Sequence, residues 1–239
     1  MNDKSLIINK LTAEGIKITD VQCDKLYRFY EMVIEKNKVM NLTAITDYEE
    51  FVIKHFVDSL MIAKVMDMTV PMSVLDIGTG AGFPGVPIKI VYPETKVLLL
   101  DSLNKRLNFL NEVIAELGLK DITTIHSRAE ELQAKGEYRE NFDLCVSRAV
   151  SALPTLSEYC LPYVKLGGKF VAYKATGADE EIEVSKTAIR VLGGEIKETA
   201  HFTIKDTDYT RVLISIEKIK NTPKKYPRPG GKPGKNPLQ

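Results

Sequence analysis

Residues 73–85 read Ser-Val-Leu-Asp-Ile-Gly-Thr-Gly-Ala-Gly-Phe-Pro-Gly. A short apolar run ends on Asp76, and glycines follow at 78, 80, 82 and 85. Pro84 and an apolar-periodic segment come next, so the glycines form the turn between a buried strand and a helix. Without a Cβ, glycine lets such a turn bend tightly and lets a ligand approach the backbone. Outward from this turn, strand-like runs recur at 96–101, 122–126, 142–147 and 168–174. Helical patterns at 84–92, 103–118, 127–135, 152–163 and 178–193 alternate with them. That order predicts an α/β fold with a mostly parallel sheet covered on both faces. Beyond 193, two strands at about 195–204 and 209–217 flank Lys205-Asp-Thr-Asp208, a hairpin that makes the end of the sheet antiparallel.

Two different segments flank this unit. Residues 1–70 read as a helical extension, with capping boxes at Thr19-Asp-Val-Gln22 and Thr46-Asp-Tyr-Glu49. Residues 71–217 make the Rossmann-like domain, and 218–239 a flexible basic, proline-rich tail. The tail holds Lys218, Lys220, Lys224, Lys225, Arg228, Lys232 and Lys235, five prolines and no acid. Subtracting its seven bases from 33 leaves 26 against 32 acids over 1–217, a net of −6 beside a cationic end. An extended, mobile arm that binds a polyanion is expected, with Tyr226 as a stacking surface; a solubilising tail is the plainer alternative.

Composition narrows the class. In 239 residues, 44% hydrophobic and 27% charged, no apolar run reaches membrane-spanning length and no signal-peptide core opens the chain. A cytoplasmic protein without membrane contact is expected, and a monomer. Cys23, Cys145 and Cys160 are spaced too widely for a metal or redox motif, and three scattered histidines offer no metal site.

In open α/β sheets the ligand lies beyond the carboxyl ends of the strands. After the first strand come Asp76, Gly78, Gly80, Gly82 and Phe83. An acid there repels a pyrophosphate but accepts hydrogen bonds from an amine-bearing ligand, which fits S-adenosylmethionine. Gly80-Ala-Gly-Phe-Pro-Gly85 also satisfies the dinucleotide pattern G-x-G-x-x-G, so a nicotinamide cofactor stays open, as does a purely structural turn. After the second strand come Asp101 and Ser102, the acid suited to ribose hydroxyls or to capping the next helix. After the third come Ala129 and Glu130, candidates for holding an adenine ring. After the fourth comes Arg148, which needs a carboxylate or ligand partner at the end of an apolar run. His55 and Asp58, three apart on a helical face, are candidates for a lid over the cleft; a surface pair or a buried tether to the sheet is the alternative.

The segment after the fourth strand reads Ser-Arg-Ala-Val, not the Asn/Asp-Pro-Pro-aromatic tetrad used on exocyclic amines. Neither Cys145 nor Cys160 is placed as an exposed nucleophile. An acceptor with its own lone pair, such as guanine N7, needs only placement in line with the methyl group. Arg148 is suited to orient such a base at O6.

These residues resemble a known family. Asp76-Ile-Gly-Thr-Gly-Ala-Gly-Phe-Pro-Gly85, Asp101-Ser-Leu-Asn-Lys-Arg106, Arg128-Ala-Glu130 and Ser147-Arg-Ala149 are similar to motifs of the bacterial 16S rRNA guanine-N7 methyltransferases, the glucose-inhibited division protein B family. So are Asn41-Leu-Thr43, Lys54-His-Phe-Val-Asp-Ser-Leu60 and Asn221-Thr-Pro-Lys-Lys-Tyr-Pro-Arg228. The resemblance implies a class I S-adenosylmethionine-dependent methyltransferase fold. It implies methylation of a guanine in the decoding-region loop of 16S rRNA, with the small ribosomal subunit as partner. It also implies cofactor contacts from Gly78, Phe83, Ala129, Glu130 and Arg148.

Overall fold

The computed structural model describes residues 3–132 and 136–238. Helices α1 (Ser5–Ala13) and α2 (Asp20–Met40) come first. A third helical stretch starts as α3 (Tyr48–Phe51), widens through a π-helical turn (Val52–Val57) and continues as α4 (Asp58–Leu60). The Thr19–Gln22 capping box forms as the spacing predicts. The Gln22 amide also donates to the carbonyls of Ile90 (3.1 Å) and Val91 (2.9 Å). One side chain therefore starts α2 and satisfies the orphan carbonyls that end α5 (Gly85–Val91).

The strands are β1 (Ser73–Ile77), β2 (Lys96–Asp101), β3 (Ile122–His126), β4 (Phe142–Arg148), β5 (Val164–Lys174), β6 (Gly194–Thr203) and β7 (Thr210–Lys218). They form one sheet ordered β3-β2-β1-β4-β5-β7-β6. β1 to β5 are parallel; β7 runs antiparallel to both β5 and β6. The order reverses between β1 and β4, which opens a crevice at their carboxyl ends. Helices α6 (Asn104–Glu116), α7 (Ala129–Leu132), α8 (Leu153–Cys160) and α9 (Ala178–Val191) complete the alternation. Residues 133–135 of the helix expected over 127–135 lie outside the described residues. No helix among the described residues is long and apolar enough to cross a membrane.

Strand period two decides which side chains meet which layer. Val74, Leu144 and Val146 face the layer that contains Phe29, Phe51 and Phe56, all fully buried. Leu75, Ile77 and Cys145 face α8 and α9. Each buried phenylalanine contributes roughly 1.5–3 kcal/mol of burial. The amino-terminal helices thus share one apolar core with the sheet.

Residues 218–238 depart from the mobile arm expected from composition. Lys218 is fully buried, its amine donating to Thr222 Oγ1 (2.6 Å) and the Leu161 carbonyl (2.5 Å) and paired with Glu140 (3.1 Å). Arg139 holds the carbonyls of Thr222 (2.7 Å) and Tyr226 (2.8 Å), and the Tyr226 ring is buried. Arg228 pairs with the buried Glu158 at 2.7 Å, and a short helix, α10 (Lys232–Lys235), lies against α8. Proline bars regular ladders, but fixed φ angles also lower the cost of ordering a chain that has carbonyl acceptors to offer. Lys218 and Arg228 are therefore spent on internal partners; Lys220, Lys224, Lys225, Lys232 and Lys235 remain exposed.

Candidate active site

A cavity of about 390 Å³ lies at the carboxyl ends of β1, β2 and β3, a size that suits a nucleoside-bearing ligand. Gly78, Asp101, Ser102, Ala129 and Glu130 line it, so five of the expected site residues converge. The Asp101 carboxylate, 2% exposed, is locked by the amides of Gly80 (3.0 Å) and Leu103 (2.8 Å), with Arg106 at 3.4 Å. It accepts from the amide of Leu103, the residue before α6, without being that helix's cap, and it borders the cavity. Tyr163 fixes the Ala129 carbonyl through its hydroxyl. Arg128, Ala149, Val150, Tyr159 and Gly231 also line it. Tyr159 comes from α8 and Gly231 from the carboxyl-terminal segment, distant positions without any local sequence signal.

The glycines divide their work. Gly78 (φ +73°) lies so close to the β4–α8 loop that a Cβ there would meet Val150 Cγ2 at 2.4 Å. Gly85 lies against Leu99 and Asp76, where a Cβ would stand 2.4 Å and 2.8 Å from them. Gly82 packs under Leu110, Val86 and Phe29. Only Gly78 of the four lines the cavity; Gly80 serves by donating its amide to Asp101.

Asp76 has a different position from the one its place in the motif suggests. It is wholly buried, and Oδ2 accepts from Thr79 Oγ1 (2.8 Å) and the Gly85 amide (2.9 Å). Oδ1 has no hydrogen-bond partner among the described residues. Burial pushes its carboxyl up to about 6, against the pull of these two donors and of Arg148. Asp76 is the internal brace of the glycine turn.

Beside the cavity, on the face covered by the amino-terminal helices, sits a closed charge cluster. Asp58, 1% exposed, takes Arg211 bidentately (Nε–Oδ1 2.7 Å, Nη2–Oδ2 2.9 Å) and Arg148 Nη1 at 2.7 Å. Arg148 also donates to the Lys54 carbonyl (2.9 Å) and to His55 Nδ1 (3.1 Å). A guanidinium only donates, so Nδ1 is the acceptor and Nε2–H donates to Thr43 Oγ1 at 2.9 Å. Burial, and then Arg148, push the imidazole down to about 3, so His55 is neutral. Burial pushes the Asp58 carboxyl up, but the two guanidiniums outweigh it and hold it below the usual range. Phe83 turns into the same cluster, stacked on His55 at 4.5 Å with the Arg148 guanidinium 5.2 Å away. His55 and Asp58 are the buried tether, not a lid. The structure directs Arg148 and Phe83 to that tether and away from the cavity wall.

The family model for GidB, rRNA small subunit methyltransferase G, matches residues 22–214. A ribosomal RNA small subunit methyltransferase G of Lachnoclostridium phytofermentans is 51% identical over all of this chain and 98% of its own length. One from Acetivibrio thermocellus is 50% identical, with both chains fully covered. Among solved structures, precorrin-6y C5,15-methyltransferase from Geobacter metallireducens superposes with a TM-score of 0.51 at 13% identity, over 68% of this chain and 88% of that one. The antibiotic-resistance methyltransferase Kmr superposes at 0.51 and 16%, over 65% and 92%. These structures share the class I methyltransferase fold with the sheet described above. The chain belongs to the GidB family, the rRNA small subunit methyltransferase G proteins, and S-adenosylmethionine is its methyl donor.

Proposed function

We propose that this protein methylates N7 of a guanine in the decoding-region loop of small-subunit rRNA, acting as a monomer, with its cofactor in the Asp101–Glu130 cavity. The cavity fits that cofactor chemically. A locked carboxylate at the end of β2 suits a ribose diol, and a second at the start of α7 suits an aminopurine. The close approach of Gly78 to Val150 narrows the end nearest β4. S-adenosylmethionine supplies an electrophilic methyl on a sulfonium.

One observation carries the choice of acceptor: beside the end of β4, the histidine bonded to Arg148 and the two buried cysteines of β4 and α8 are not free to take a proton or form a covalent adduct. Both ring nitrogens of His55 are engaged. Cys145 and Cys160 are fully buried, and burial raises the Cys145 thiol well above its ordinary range. An acceptor that brings an available lone pair, as guanine N7 does at neutral pH, needs only orientation. Arg148 serves this reading as a positioning residue. Through Asp58 and His55 it fixes the end of β4, from which Ala149 and Val150 reach the cavity.

Exposed lysines on the carboxyl-terminal segment suit the phosphates of an rRNA loop, where an unstacked base exposes its Hoogsteen edge. The deciding experiment is mass mapping of rRNA from cells with and without this protein, together with labelled methyl transfer to purified subunits and deproteinised rRNA. Loss of one N7-methylguanine is expected. An unchanged N7-methylguanine content, or loss of a different methylated nucleoside, overturns the proposal.

A further inference from the structure

The carboxyl-terminal segment crosses α8 and ends as part of the cofactor cavity. Arg228 grips Glu158, which is fully buried: Nε reaches Oε1 at 2.9 Å, Nη2 reaches Oε2 at 2.7 Å, and the Arg228 amide adds a bond to Oε1 at 2.7 Å. Three residues on, the Gly231 amide donates to Glu130 Oε1 at 3.1 Å, and Gly231 itself lines the cavity. Thr155 Oγ1 then takes hold by donating to the Pro233 carbonyl at 3.0 Å. The family model's match ends at residue 214, whereas the full-length relatives extend over this segment too.

We propose that residues 228–231 are a strap that positions Glu130 as the reader of the adenine base, with Arg228–Glu158 as its latch. The proposal rests on the reading that this cavity takes the nucleoside half of the cofactor. A carboxylate accepts and never donates when ionised. The Gly231 amide fixes Oε1, which leaves Oε2 to accept from an exocyclic amine. Adenine presents a 6-amino donor there, whereas hypoxanthine presents a 6-oxo acceptor that faces the carboxylate with like polarity. Discrimination of this kind is large because the mismatch leaves polar groups unpaired. A loose Glu130, free to swing into solvent, would lose it.

The test is calorimetry with S-adenosylhomocysteine and S-inosylhomocysteine on the full chain and on the variants Arg228→Ala, Arg228→Lys and Asp101→Asn. The wild type is expected to prefer the adenosine form by about a hundredfold or more. Arg228→Ala should weaken it about tenfold and bring the two analogues within a few-fold of each other. Arg228→Lys, which keeps the charge without the bidentate grip, should fall between. Asp101→Asn should weaken both analogues alike, since they share the ribose. On the unaltered protein, S-adenosylhomocysteine should slow tryptic cleavage after Lys235, because coupling between strap and ligand is reciprocal. Unchanged affinity and preference in Arg228→Ala, with faster cleavage showing the strap released, overturns the strap while Asp101→Asn still upholds the cavity. Cleavage indifferent to the ligand in the wild type also overturns the strap. Unchanged binding of both analogues in Asp101→Asn overturns the cavity assignment and the strap together.

Discussion

The two flanks of the crevice are built from the same kinds of groups and end in opposite states. On the β2–β3 flank, Asp101 and Glu130 are held chiefly by backbone amides, with only a long 3.4 Å contact from Arg106 to Asp101, which leaves carboxylate capacity facing a cavity. On the β4–β7 flank, Asp58 is held by two guanidiniums, which leaves no capacity and no cavity. Backbone amides neutralise a carboxylate only partly; arginines neutralise it fully and lock it. The open flank is therefore suited to binding and the closed flank to holding the amino-terminal helices, β4 and β7 in register.

Breaking the closed flank should give the largest effect. Asp58→Asn keeps the shape but leaves Arg148 and Arg211 as two buried guanidiniums without an anion. Removing one partner from a buried ion pair costs about 3–5 kcal/mol, and urea unfolding of the variant should show a loss of that size. A loss below about 1 kcal/mol would mean that the cluster is solvated. On the open flank the balance reverses. Asp101→Asn should lower S-adenosylhomocysteine affinity by tenfold to a hundredfold, the equivalent of about 1.5–3 kcal/mol for hydrogen bonds to a charged group. Its stability should fall by less than that of Asp58→Asn, and a larger stability loss with intact affinity would place Asp101 with the structural carboxylates.

The open flank was largely legible in the sequence because its residues sit at the carboxyl ends of successive strands. Asp101, Ala129 and Glu130 needed only the rule that ligands lie beyond carboxyl ends. The closed flank was not legible. Period two puts Arg148 on the face of Val146, but which layer covers that face is a property of residues nearly a hundred positions earlier. Arg211, the second partner of Asp58, lies 153 positions away and carries no motif. Asp76 was misplaced for a local reason. The Gly85 amide and the Thr79 hydroxyl take its Oδ2 inside the turn, and its side chain is buried behind the cavity wall, with Oδ1 unpartnered among the described residues. Composition misread the tail, since the buried Glu158 and the half-buried Glu140 absorb charges that looked solvated.

His55 of the closed flank and Asp76 of the glycine turn titrate in opposite directions, which gives the next smaller effect. His55 is held at about 3 when folded, below its ordinary 6.5. The unfolded chain therefore takes up a proton first as the pH falls below 6.5, and stability is lost. At pH 5 that loss is about 2 kcal/mol, at about 1.36 kcal/mol per unit. Asp76 is held at about 6 when folded, above its ordinary 3.8. Here the folded chain takes up the proton first, so stability is gained as the pH falls from 6 towards 3.8. The two slopes oppose each other in the wild type. His55→Asn removes one of them, so the stability gap between variant and wild type should narrow by about 2 kcal/mol between pH 7 and pH 5. A gap that stays constant in paired urea titrations would mean that the imidazole is not buried in its neutral form.

The smallest effects separate the two faces of the strap on the open flank. Its inward residues, Arg228 and Gly231, are tied to Glu158 and Glu130, whereas Lys224, Lys225, Lys232 and Lys235 point into solvent. If the outward face meets RNA, each lysine adds roughly 0.7 to the salt slope of binding to single-stranded phosphates. Lys224→Gln with Lys225→Gln should then lower the slope by about 1.4. The same double variant should leave S-adenosylhomocysteine affinity untouched, because neither side chain lines the cavity. A slope that does not change, measured by filter binding of an rRNA fragment across salt concentrations, would assign these lysines to solvation.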